Sequence, residues 1–140
     1  MSGKKVNSEQ LLQLWHKIMI SGDVTVCTEK LKGASIIDVN ILRLLEENKT
    51  MMLRDLGTKL SVSPSTLSSA IKRMEKSGLI ERVICKEDLR SYSITLTDDG
   101  KQTINEHYEL ELKIMDTLLG RLDSENERKE FLKMLSKLIG

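Results

Sequence analysis

A mainly α-helical fold with one small β element (α+β) is what this 140-residue sequence predicts. Three observations carry it. Apolar residues recur at helical spacing in segment after segment. Proline occurs once, at Pro64, directly behind Ser63, where it opens a helix and does not break one. Two β-rich runs flank a single charged turn, Lys86-Glu87-Asp88-Leu89-Arg90.

Residues 8–21 place Leu11, Leu12, Leu14, Trp15, Ile18 and Met19 on a wide apolar stripe, a first helix. Residues 22–34, with Gly22, Gly33 and scattered polar side chains, read as a loop. Residues 35–47 repeat Ile37, Ile41, Leu44 and Leu45, and Ser35 with Asp38 makes a capping-box-like start. Asn48-Lys49-Thr50 ends that helix. A short helix over 51–60 carries Met52, Leu53, Leu56 and Leu60, and Ser61-Val62-Ser63 turns the chain. Ser63 then caps a helix with Pro64 in its first turn: the hydroxyl takes an orphan amide, and proline has none to satisfy. This helix runs to about Ser77 and stops at Gly78, the usual left-handed residue. Residues 79–86 and 91–97 form a hairpin. Thr97 caps a long helix to about Gly120, and Ser124 with Glu127 opens the last helix as a second capping box. The centre, 51–77, has helix-turn-helix form, and the hairpin behind it is a wing.

Composition excludes several function classes. At 39% hydrophobic and 31% charged, the chain is neither membrane-embedded nor plainly disordered. The longest apolar runs span only three residues, as at Ile18-Met19-Ile20, too short for a transmembrane span or signal core, so a cytoplasmic location without membrane contact is expected. Two cysteines, Cys27 and Cys85, fit a reducing compartment. No Ser/His/Asp order, HExxH, CxxC or phosphate loop is present, so neither an enzyme nor a cofactor is expected. His16 and His107 form no metal-ligand cluster and read as surface or interface residues. Trp15 is the only tryptophan and Phe131 the only phenylalanine, so no platform for stacking single-stranded bases exists.

Charge is unevenly placed. The net is +1, yet residues 49–90 carry nine basic and five acidic side chains, while residues 91–140 carry seven and ten. A basic middle suits a polyanion. Leu67, Ala70, Ile71 and Met74 make the buried stripe of the helix from Pro64. Its other faces hold Ser65, Thr66, Ser68, Ser69, Lys72, Arg73 and Lys76, with Ser63 at its start. Short hydroxyls let a helix approach base edges, and cations reach phosphates. A plain solvated amphipathic helix would share this pattern; the preceding helix and the wing favour duplex DNA. Thr50 and Arg54 are candidate phosphate contacts. Lys86 and Arg90 sit at the wing tip, where Arg90 can enter a narrow minor groove and Asp88 can hold its guanidinium or a turn amide; a solvated charged hairpin tip is the alternative.

The run Leu53-Arg54-Asp55-Leu56-Gly57 … Leu60-Ser61-Val62-Ser63-Pro64-Ser65-Thr66-Leu67 … Met74-Glu75-Lys76-Ser77-Gly78-Leu79-Ile80-Glu81-Arg82 resembles the winged helix-turn-helix of the MarR family of transcription regulators. Asp88-Leu89-Arg90 followed by Leu96-Thr97-Asp98-Asp99-Gly100 resembles that family's wing and the start of its next helix. The resemblance covers residues 35–100. It implies a homodimer on a pseudo-palindromic operator, usually a repressor, released by a small phenolic compound, an oxidant or a metal. It also implies an effector pocket between the wing domain and the helical arm. Trp15, Met19 and Ile41 are candidate lining residues, with a bulky core as the alternative for each. Two departures stand out: Gly57 where the family usually has alanine against the recognition helix, and Leu89 for a frequent second wing arginine.

The expected organisation is an N-terminal helix and link (1–34), a DNA-binding domain (35–100) and C-terminal dimerisation helices (101–140). Leu11, Ile18, Tyr108, Met115, Leu119, Phe131, Leu135 and Leu138 are the candidate dimerisation residues, since such stripes on appended helices would otherwise face water. Two-fold symmetry would set the recognition helices about 34 Å apart, one turn of B-DNA. Packing within one chain is the alternative for the stripes. A winged protein-interaction module that binds no DNA is the alternative for the whole.

Overall fold

The computed structural model describes residues 2–20, 31, 33–86, 88 and 92–140. Its elements run α1 (Ser2–Ile20), α2 (Ile36–Asn48), β1 (Thr50–Met52), α3 (Leu53–Leu60), α4 (Pro64–Lys76), β2 (Ile80–Ile84), β3 (Tyr92–Leu96), α5 (Asp98–Leu119) and α6 (Glu125–Ile139). They divide into two compact units, Cys27–Glu109 and the pair Met1–Val26 with Leu110–Gly140.

In the first unit, α2, α3 and α4 pack with a three-stranded antiparallel sheet of order β1-β3-β2. Ile41, Leu42 and Leu45 of α2, Leu56 of α3, Ile71 of α4 and Ile94 of β3 are its most deeply buried members. The Ser35 capping box forms in both directions: Ser35 Oγ accepts from the Asp38 amide and Asp38 Oδ2 from the Ser35 amide, each at 3.2 Å. Ser63 caps α4 by accepting from the Thr66 amide at 3.2 Å. At the far end of α4, Gly78 has φ +76°, and the amides of Gly78 and Leu79 close onto the carbonyls of Glu75 and Met74.

Four local expectations are corrected. Residues 50–52 are a strand, not the start of a helix. Met51 is buried opposite Ile94, and this sheet pairing outweighs the helical propensity of its neighbours, so the wing hairpin gains a third strand. Helix α1 begins at Ser2 and not near residue 8, because its polar first turns carry no apolar periodicity to read. Leu31, placed in a loop by its surroundings, is buried in the core of its unit. His107, read as a surface or interface residue, is buried on α5 within the unit that ends at Glu109.

Gly57 lies inside α3, where an added Cβ would meet Leu67 Cδ2 at 3.4 Å, an ordinary contact. Glycine in a helix interior costs about 0.5–1 kcal/mol relative to alanine. Gly57→Ala is therefore expected to raise stability by about that amount, seen as a higher urea midpoint with an unchanged slope. A lower midpoint would show that Leu67 cannot accept the methyl group.

In the second unit, residues 8–18 of α1 and every residue of α6 except half-buried Arg128 are exposed. Ser124 caps α6 by accepting from the Glu127 amide at 3.1 Å, while the Glu127 carboxylate reaches back to the Asp123 amide, one residue further than a standard capping box. Arg128 donates to the Leu119 and Leu122 carbonyls at 2.9 and 3.2 Å, tying α6 to the end of α5.

Candidate nucleic-acid interface

Helix α4 is positioned by its buried stripe, Leu67, Ala70, Ile71 and Met74. At 100° per residue, the face opposite that stripe is the row Ser65, Ser69, Lys72 and Lys76, all exposed. Two hydroxyls near the helix start and two ammonium groups further along form one ridge. Thr66 is exposed beside it. Ser68 is half-buried on the side toward Glu75. The hydroxyls of Ser63, Ser65 and Thr66 are linked: Ser63 Oγ donates to Thr66 Oγ1 at 2.8 Å and lies 3.2 Å from Ser65 Oγ. Ser63 is thus committed to capping the helix.

Ion pairs grip α4 on both flanks of the ridge. Arg73 Nη2 donates to Asp38 Oδ1 of α2 at 2.9 Å. Arg82 Nε of β2 donates to Glu75 Oε1 at 2.9 Å, and its guanidinium stands 4.5 Å over the Tyr92 ring of β3. Sequence reasoning missed both grips. Asp38 was legible only as a capping residue, and Glu75 and Arg82 stand on either side of the Gly78 break, where no helical spacing relates them.

The remaining candidates spread over neighbouring elements. Thr50 is exposed in β1, where it faces Thr95 across the ladder, and Arg54 is exposed in the first turn of α3. Lys86 and Asp88 are exposed beyond β2. Arg90 and Leu89 lie outside the described residues, as do Cys27 and the side chain of Met19. Trp15 is exposed on α1. Ile41 is wholly buried in the core, so it cannot line a pocket open to an effector; the alternative reading of a core residue holds for it. Cys85 is half-buried with its Sγ 3.8 Å from Ser93 Oγ.

Of the dimerisation candidates, Leu11, Ile18, Tyr108, Met115, Phe131, Leu135 and Leu138 are exposed and Leu119 is half-buried. Among the described residues no group of three His, Cys, Asp or Glu side chains could hold a metal, and no helix is long and apolar enough to cross a membrane.

Residues 36–92 match the model of the MarR family. The uncharacterised HTH-type transcriptional regulator YwhA of Bacillus subtilis is 31% identical over 98 residues, 70% of each chain. The organic hydroperoxide resistance transcriptional regulator of the same organism is 44% identical over 59 residues, 42% of this chain and 40% of that protein. The crystal structure of Streptococcus pneumoniae FabT in complex with DNA has the same fold, with a TM-score of 0.75 and 20% identity over 97% of this chain and 94% of that one.

Proposed function

The chain belongs to the MarR family, and from that premise we propose that it acts as a homodimeric, sequence-specific regulator of transcription on duplex DNA, most simply a repressor. The observation that carries this reading is the exposed Ser65, Ser69, Lys72 and Lys76 ridge opposite the buried face of α4. Such a ridge brings hydroxyls to base edges and ammonium groups to phosphates when the helix enters a major groove. FabT is bound to DNA in its structure with this fold. Residues 35–100 are assigned to DNA, with Thr50, Arg54 and Lys86 on phosphates and Arg90 in the minor groove. Residues 1–34 and 101–140 are assigned to the dimer. The work is binding, without catalysis, and its place is the cytoplasm.

An effector that lowers DNA affinity completes the reading, and the hydroperoxide-resistance relative favours an oxidant among the classes expected.

The test is a binding titration on the DNA upstream of the protein's own coding sequence at several salt concentrations. A regulator making six or more phosphate contacts is expected to lose roughly 10³-fold in affinity between about 50 and 200 mM salt. Failure to bind any duplex at low salt would instead support a protein-interaction module.

A further inference from the structure

Among the described residues, Arg73 is the one cation of α4 whose head group is fixed by a buried partner. We infer that Asp38 and Arg73 are positioning residues for DNA recognition: their ion pair sets how α4 presents its ridge, and Arg73 does not itself contact DNA. The inference rests on the DNA-binding reading above and reassigns one of the residues expected to touch the groove.

The two oxygens of Asp38 have separate work. Oδ2 accepts from the Ser35 amide at 3.2 Å, closing the N-terminus of α2, while Oδ1 accepts from Arg73 Nη2 at 2.9 Å. The Asp38 side chain is only 7% exposed, against 55% for Arg73. A buried carboxylate stripped of its cation is strongly unfavourable, so the pair holds together even though the arginine stem is wet. Helix α2 is itself anchored by Ile41, Leu42 and Leu45 in the core. The pair therefore ties the flank of the groove-facing helix to a core-anchored neighbour. Arg73 stands on the flank of α4 toward α2, roughly 70° round from the centre of the Ser65, Ser69, Lys72 and Lys76 ridge. A planar guanidinium suits this task, because it fixes direction as well as charge, which an ammonium does not.

The test starts from a duplex that the wild-type protein selects from a random pool. Affinity for that duplex and for a scrambled one is then measured across salt for wild type, Asp38→Asn, Arg73→Gln, the double variant and Arg73→Lys, at a temperature where circular dichroism shows each folded. Positioning predicts that Asp38→Asn weakens binding to the selected duplex about tenfold without weakening the scrambled one, although it removes a negative charge. It predicts the same loss for Arg73→Gln at the wild-type salt slope, a double variant no worse than either single, and no rescue by Arg73→Lys.

The inference is overturned if Arg73→Gln lowers the salt slope by about one counterion, if Arg73→Lys restores binding, or if Asp38→Asn binds like wild type. Additive losses in the double variant overturn it as well. A wild-type protein that selects no duplex overturns the DNA-binding reading, and this inference with it.

Discussion

Replacing Gly100 with alanine is expected to cost about 3 kcal/mol of folding stability, at the upper end of what overpacking does. The methyl carbon would stand 1.9 Å from the Leu79 carbonyl oxygen, 3.0 Å from its carbon and 3.1 Å from Leu96 Cδ2. The obstacle is backbone, so no side-chain rotation relieves it. That carbonyl already accepts the Thr97 amide at 3.1 Å. The Thr97 hydroxyl donates to the Gly78 carbonyl at 2.6 Å and accepts from the Gly100 amide at 3.0 Å. Pushing α5 away therefore breaks the hydrogen bonds that join it to the end of α4. Urea unfolding gives the answer as a shift in midpoint at constant slope. A variant as stable as wild type would mean that α5 does not approach Leu79 so closely.

The double substitution Phe131→Glu with Leu135→Glu is expected to convert the protein to a monomer and to lower operator affinity by roughly 10²–10⁴-fold. That is the range lost when two linked sites become separate binding events. Phe131, Leu135 and Leu138 recur at i, i+4 and i+7 on α6, a helix with no buried residue in the single chain. Phe131 is 43% and Leu138 73% exposed. A face of that kind has a reason to exist when a second copy covers it. Sedimentation reads the mass and fluorescence anisotropy the affinity. A variant that stays dimeric, or a monomer that binds as tightly as wild type, would remove α6 from the dimer.

Local chemistry was legible wherever one residue type has one physical use. Ser35 with Asp38, Ser63 before Pro64, and Gly78 after α4 each marked a helix end that the structure has. Features that depend on distant partners were not legible. Thr50–Met52 becomes a strand because β3 lies beside it, and nothing within those residues announces that. Leu31 is buried by elements that follow it in sequence. The capping pattern predicts Asp38's bond to Ser35, but its second bond crosses 35 residues to Arg73. Ile41 shows the opposite failing. A large apolar side chain fits a ligand pocket and a core equally well on paper, and only burial separates them.

The run Leu96-Thr97-Asp98-Asp99-Gly100, which in sequence resembles a family signature, is in the structure a junction between elements. Thr97 and Gly100 meet Gly78 and Leu79 where the recognition helix ends, the wing begins and the long helix sets off. One knot of backbone and hydroxyl contacts thus fastens three element ends together, so a substitution at Thr97 or Gly100 is felt at the end of α4 and the start of β2 as well as in α5.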